Sequence, residues 1–355
     1  MAYLTERPAG REPDFANLAA VLEKKRPSRP TLYEFFMNDR LYRNLVGDGF
    51  RRSDPIAIMP DYETVVFSFL KAGYDYATVT AAKLYIVPFH VTDSHAKTIT
   101  LNAGHYIYDR ATFDSYEWPD PWSVSMDDFS AIAGYLPAGM KVIPFGPGGV
   151  LENVIGLTGY ENLCMMLYDD EQLVYDLFEK VGSIIVDVYS RVLDYPFVGA
   201  VMSNDDWGFN TQTFLSTEDM RRFVFPWHKK IVEKAHSAGV YTMLHSCGNY
   251  SAIIDDIAYD MKYDARHSYE DKIVPVESAY ESLKGKIAVL GGLDVNFMVK
   301  GPAEAIYDRA TAMLERTMEG GGYALGTGNS VPDYIPDEHY FAMINAAFDF
   351  ERKYL

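Results

Sequence analysis

Val240-Tyr-Thr-Met-Leu-His-Ser-Cys-Gly-Asn249 reads as a short buried strand running into a polar, glycine-containing turn. The helical period 217–237 precedes it and closes on Gly239. Its start, Ser216-Thr-Glu-Asp219, places a capping hydroxyl and two acids in the first turn. A second helical period, 251–259, and a further apolar run, 262–265, follow. Helix, strand, helix, strand in such close succession implies parallel pairing through right-handed crossovers.

The same rhythm extends in both directions. Strands are expected at 56–59, 74–79, 142–145, 198–202, 240–244, 262–265, 287–290 and 323–325. Helices are expected at 171–193, 217–237, 251–259, 303–318 and 339–350. About eight such units fit a closed (β/α)8 barrel. A doubly wound open sheet is the alternative, but no Gly-x-Gly-x-x-Gly follows the first strand. Residues 1–54 form an Arg-, Pro- and Phe-rich extension with no clean strand, and 55–355 the barrel. Residues 82–125 break the rhythm and read as a β-hairpin insertion over one barrel mouth, ending in Trp118-Pro-Asp-Pro-Trp122.

Composition excludes several classes of partner. The 355 residues carry 32 Lys and Arg against 50 Asp and Glu, a net charge of −18. Binding a nucleic-acid backbone or an anionic membrane needs basic surface. No apolar run is long enough to span a bilayer. The two cysteines, Cys164 and Cys247, cannot form a disulfide framework, and the first ten residues lack an apolar signal core, so a cytoplasmic location is expected. The 27 Tyr, 20 Phe and 4 Trp supply either a large aromatic core or an aromatic pocket.

In such barrels the working residues follow the strand C-termini. Five such places carry candidates. Asp205-Asp206-Trp207-Gly208 offers Asp206 as an acid and Trp207 as a substrate wall. His245-x-Cys247 puts an imidazole and a thiol on one side of an extended segment, which is metal-ligand spacing. The same pair also reads as a nucleophile with its base, or as a buried cysteine beside a satisfied histidine. One strand on, Glu270 offers a third ligand, with His267 competing for that role. Three protein ligands and an open position would make a catalytic zinc site. Gly291-Gly-Leu-Asp294 offers Asp294, with helix capping as its plain alternative. Gly326-Thr-Gly-Asn-Ser330 offers Thr327 and Asn329 as a substrate rim.

The strand endings, with Phe223-x-x-Pro226-Trp227, Gly301-Pro-Ala-Glu304, Pro332-Asp-Tyr-Ile-Pro336 and Tyr116-Glu-Trp-Pro-Asp-Pro121, resemble the uroporphyrinogen decarboxylase superfamily. Within it they look like the corrinoid-dependent methyltransferase branch: the methylcobalamin:coenzyme M methyltransferases and the O-demethylase methyltransferases. The resemblance covers about 55–350 and implies the same barrel. It implies zinc held by a His-x-Cys pair, carried over to His245 and Cys247, by a Glu carried over to Glu270, and by a final Cys. That last position is Thr327, which has no thiolate, leaving three ligands or recruitment of His267. It also implies a corrinoid protein as partner, since Asp93-Ser-His95 is only half of a corrinoid-carrier motif. The expected activity moves a methyl group between that corrinoid and a small methyl ether, amine or thiol. The Trp and Tyr content favours an aromatic ether. In a metal-free variant of this chemistry, Glu270 or Asp206 would protonate the leaving oxygen.

Two rivals remain at this stage. One is a decarboxylase of a carboxylated ring, with Asp206 facing the protonated ring. Against it, Asn38-Asp-Arg-Leu-Tyr-Arg43 is not the Arg-x-x-Gly-Arg-Tyr run of that branch. The other is a non-catalytic barrel that binds a ligand or a corrinoid protein. Self-association is common among such barrels, although no interface signal is readable.

Overall fold

The computed structural model describes residues 4–55, 57–88, 101–102 and 104–354. Seven strands form one parallel sheet in chain order: β1 Tyr76–Thr80, β2 Lys141–Phe145, β3 Ala200–Asn204, β4 Tyr241–His245, β5 Ala265–His267, β6 Ala288–Leu290 and β7 Tyr323–Ala324. β5, β6 and β7 are buried along their whole length and the other four at every residue but one end, as parallel strands covered by helices must be. The long helices Glu171–Val192, Phe225–Ser237, Ala303–Thr317 and Asp337–Tyr354 cover the outside. Apolar residues of the strands and helices pack into a single core cluster.

The eighth position differs from the expectation. The run 56–59 is not a strand: Ala57–Met59 form a bend, and Ile56 lies outside the described residues. The position beside β7 is taken instead by the segment expected to have no clean strand. Leu32 bridges Leu325 in parallel, with Tyr33 N donating to the Leu325 carbonyl at 2.7 Å and Leu325 N to the Thr31 carbonyl at 2.8 Å. On the β1 side the contacts are side-chain ones. Glu34 N donates to the Tyr76 hydroxyl at 2.6 Å, and Thr78 Oγ1 donates to the Glu34 carbonyl at 3.2 Å. Pro30 and the short apolar run gave no period-2 signal to read.

The hairpin is also corrected. Among the described residues of 82–125 there is no strand, only the helical turns Arg110–Ser115 and Pro121–Ser123. Residues 89–100, with Asp93 and His95, lie outside the described residues. Trp118 packs on Phe113 and Tyr116. Trp122 donates to Asp187 at 3.2 Å and stacks near Arg191, on the last turns of the helix Glu171–Val192. Those turns lead into β3, so Trp122 sits toward the end of the barrel opposite the strand C-termini. Among the described residues, no helix is long and apolar enough to cross a membrane.

Candidate metal and thiol site at the strand C-termini

The ends of β3, β4 and β5 bring the candidate residues together. Asp206, His245 and Cys247 each present a ligand atom, and these atoms lie within 4.8 Å of one another. His245 ends β4, and its Nε2 stands 3.9 Å from Cys247 Sγ. The backbone N–H of Cys247 donates to Asp206 Oδ1 at 2.8 Å, which ties the β3 and β4 loops. Two donors point at the sulfur: Ser268 Oγ at 3.4 Å and Asn329 Nδ2 at 3.3 Å.

Burial first, then the nearby Asp206, pushes the Cys247 thiol up. Burial, with His267 and Arg266, holds His245 well below the ordinary imidazole range. A neutral imidazole beside an unionised thiol is the wrong state for a thiolate–imidazolium nucleophile. Asp206 is itself raised, chiefly by burial.

The adjacent acids have separate duties. Asp205 is fully buried and accepts from the backbone N–H groups of Leu151 and Glu152, both at 3.0 Å, at the start of the helix Val150–Thr158. His228 Nε2 lies 2.9 Å from its other face, and His228 Nδ1 meets the Tyr263 hydroxyl at 2.8 Å. A Cβ on Gly149 would fall 2.0 Å from the Asp205 carboxyl, so that approach requires glycine. Trp207 is buried, packed on His228 and Phe225 rather than facing a substrate.

Glu270 and His267 are not in the ligand cluster. Glu270 is half-buried, and its carboxyl is raised by burial, then by Asp294 and Asp206. Both nitrogens of His267 are used, Nδ1 on His245 at 2.8 Å and Nε2 on the Thr327 carbonyl at 3.0 Å. Asp294 caps the helix Val295–Lys300 and also accepts from Asp271 N at 2.9 Å, so its capping alternative holds. Gly291 serves a backbone contact rather than a ligand: a Cβ there would meet the Thr327 carbonyl at 2.2 Å. Thr327 turns its hydroxyl away from the site, toward Glu34 at 2.8 Å and the Asn329 carbonyl. Asn329 alone of the expected rim pair reaches the sulfur.

Several residues with no sequence signal belong to the site. The buried Arg266 binds the Ser268 and Ser246 carbonyls and lies over the Tyr250 ring, fixing the turns after β4 and β5. Glu152 stands beside Asp206. Burial first, then Asp206 and Asp205, raises its carboxyl well above the usual range.

Glu34 is fully buried under Thr327, and burial pushes its carboxyl up to about 8. An unfolded Glu titrates near 4.3, so folding takes up a proton between about pH 4.5 and 8, and stability falls as pH rises through that window. Glu34→Gln keeps the neutral shape and is expected to flatten this slope. Its urea midpoint should match wild type near pH 4.5 and exceed it at about pH 9. Parallel curves over the whole range would show that Glu34 does not hold this proton.

A cavity of about 660 Å³ opens at the C-terminal ends of β1, β2 and β3, reaching Glu152 and Asn204. Among its described lining residues the acids are Asp54, Asp61, Glu63, Asp128 and Glu152, and the base is Lys83. The Lys83 ammonium is already 2.7 Å from Asp128.

A parallel barrel with a half-buried thiol, a buried imidazole and a half-buried carboxyl clustered at its C-terminal mouth defines the broad class. The pattern of the uroporphyrinogen decarboxylase (URO-D) family matches residues 139–350, and the chain belongs to that family. It is 27% identical over 255 residues to the uroporphyrinogen decarboxylase of Anaeromyxobacter dehalogenans, covering 70% of each chain. It is 27% identical over 247 residues to that of Methylococcus capsulatus, covering 64% of this chain and 67% of the relative. A methyltransferase from Methanosarcina mazei has the same fold, with a TM-score of 0.68 at 15% identity, covering 94% of this chain and 98% of that one.

Proposed function

We propose that the protein transfers a methyl group between a small methylated substrate and the corrinoid of a partner protein, at a zinc held by His245, Cys247 and Asp206. The observation that carries this reading is the clustering of three ligand atoms around one point. The donor set also fits the ion. A tetrahedral zinc about 2.3 Å from sulfur and about 2.05 Å from nitrogen sets those atoms roughly 3.6 Å apart, close to the 3.9 Å between Cys247 Sγ and His245 Nε2. One thiolate, one imidazole and one carboxylate leave a fourth position open, the catalytic pattern.

The metal would supply Lewis acidity to the substrate heteroatom. The chain's own residues do the rest. Ser268 and Asn329 donate to the sulfur and so favour its anionic form. The Cys247 N–H holds Asp206 Oδ1, and the Cys247 thiol meets the same carboxyl, so both groups face one point. Glu152, whose carboxyl is raised by burial and then by Asp206 and Asp205, is placed to hand a proton to a leaving oxygen or nitrogen in the cavity. Trp207 is core and Trp122 lies toward the far end, so neither favours an aromatic ether; the Tyr62, Tyr85 and Tyr135 lining of the cavity is what favours one.

Asp206 rather than Glu270 is proposed as the carboxylate ligand. Asp206→Ala should weaken zinc binding by at least about tenfold in chelator competition, and Glu270→Ala should leave it within about twofold. The reverse ranking would restore Glu270.

The named relatives favour a second reading, decarboxylation of a carboxylated ring. The acidic cavity opposes it, since a polycarboxylate would meet five acids and one paired lysine. The run 38–43 supplies no substitute: Arg40 pairs with Asp337, and Arg43 lies over Phe50. The deciding experiment incubates the protein with cob(I)alamin and separate methyl ethers, methylamines and methyl thioethers, following methylcobalamin by absorbance. Methylcobalamin from one class supports the proposal. Carbon dioxide from a porphyrinogen, with no methylcobalamin, would replace it with the decarboxylase.

A further inference from the structure

We propose that His267 is a positioning residue that fixes His245 as the Nδ1–H tautomer, leaving the bare Nε2 lone pair facing Cys247. The inference deepens the metal reading, but its first test needs no metal. It follows from donor and acceptor chemistry along one line of contacts. A carbonyl oxygen only accepts, so His267 Nε2, 3.0 Å from the Thr327 carbonyl, carries a hydrogen. His267 is fully buried, and its hydrogen-bond contacts among the described residues are that carbonyl and His245. With no carboxylate to balance a positive charge, the ring stays neutral, and its Nδ1 is therefore an acceptor. His245 Nδ1 stands 2.8 Å from it and must donate. A neutral His245 then has no hydrogen on Nε2, the nitrogen 3.9 Å from the sulfur.

The surroundings hold both rings in these orientations. Tyr33 packs edge-on to His267 with centroids 4.9 Å apart, and Phe35 packs on His245 at 4.5 Å. The Thr327 carbonyl also accepts from Gly292 N at 2.9 Å. Position 327 thus works through its main chain, while its side chain anchors to Glu34.

Long-range 1H–15N correlation spectra of the zinc-free full chain, with His245 assigned by its absence in His245→Gln, read the tautomer directly. The expected result is one species with hydrogen on Nδ1. His267→Asn places an amide oxygen where Nδ1 was and should keep that species, with zinc affinity within about threefold of wild type. His267→Leu removes the acceptor, should mix the tautomers, and should lower zinc affinity about 10–100-fold in chelator competition. Hydrogen on His245 Nε2 in wild type would overturn the proposal, and so would a folded His267→Leu with unchanged spectrum and affinity. Where His267→Leu fails to fold, the wild-type spectrum and His267→Asn decide. A protein that binds no zinc yet shows the Nδ1–H species would refute the metal reading and leave this one standing.

Discussion

Cys247→Ala is expected to remove the bound metal altogether. Anaerobically purified wild type should hold about one zinc per chain by elemental mass spectrometry, and the variant none. Without the thiolate, Asp206 and His245 alone are too few ligands for a zinc site, which takes three or four from protein. The loss in affinity should exceed the ~100-fold upper range seen when only an outer partner of a ligand is removed. The thiol's raised pKa makes the result more telling. Burial and Asp206 oppose ionisation, so a thiolate in this place needs a cation. Zinc retained in Cys247→Ala would place the metal elsewhere. Zinc in neither protein would leave an acid-assisted transfer through Glu152 or Glu270.

Asp205→Ala should be the most destabilising of the mouth substitutions. It strips an acceptor from two backbone N–H groups and from His228, all inside a site with no solvent. Removing one partner of a buried polar or ionic pair costs about 3–5 kcal/mol. For a chain this long that corresponds to a fall in melting temperature of roughly 5 °C or more. Asp206→Ala, one residue away, takes this partner from the Cys247 N–H and thiol, strips no helix start, and should shift the melt less. Equal melting curves for the two variants would contradict the division of labour between these neighbours.

The barrel was legible because β2 to β7 are buried on both faces and read as apolar runs at regular intervals. The His245-x-Cys247 pair was legible because two residues apart on a strand share a side. What misled was anything decided between strands. Asp206 and Glu270 both follow a strand end next to β4, and only the tie from Cys247 N to Asp206 sets which carboxyl turns inward. Asp205 and Asp206 are indistinguishable in sequence, yet one caps a helix and the other faces the site. The eighth strand position was missed because Thr31–Glu34 is short and follows Pro30, and its pairing lies with a residue 293 positions away.

That long-range pairing bears on how the molecule is made. As the chain leaves the ribosome, Leu32 emerges 293 residues before Leu325, the residue it bridges. At roughly 5–20 residues per second, the segment that carries Tyr33, Glu34 and Phe35 waits about 15–60 s for its partner strand. During that interval the backbone edge that later pairs with β7 has no strand beside it. The support beneath His245 and His267 is therefore completed only after residue 325 has been made, when the segment at 31–35 gains its partner strand. A nascent chain stalled before residue 325 would lack both the β7 partner of Leu32 and the Thr327 carbonyl that holds His267.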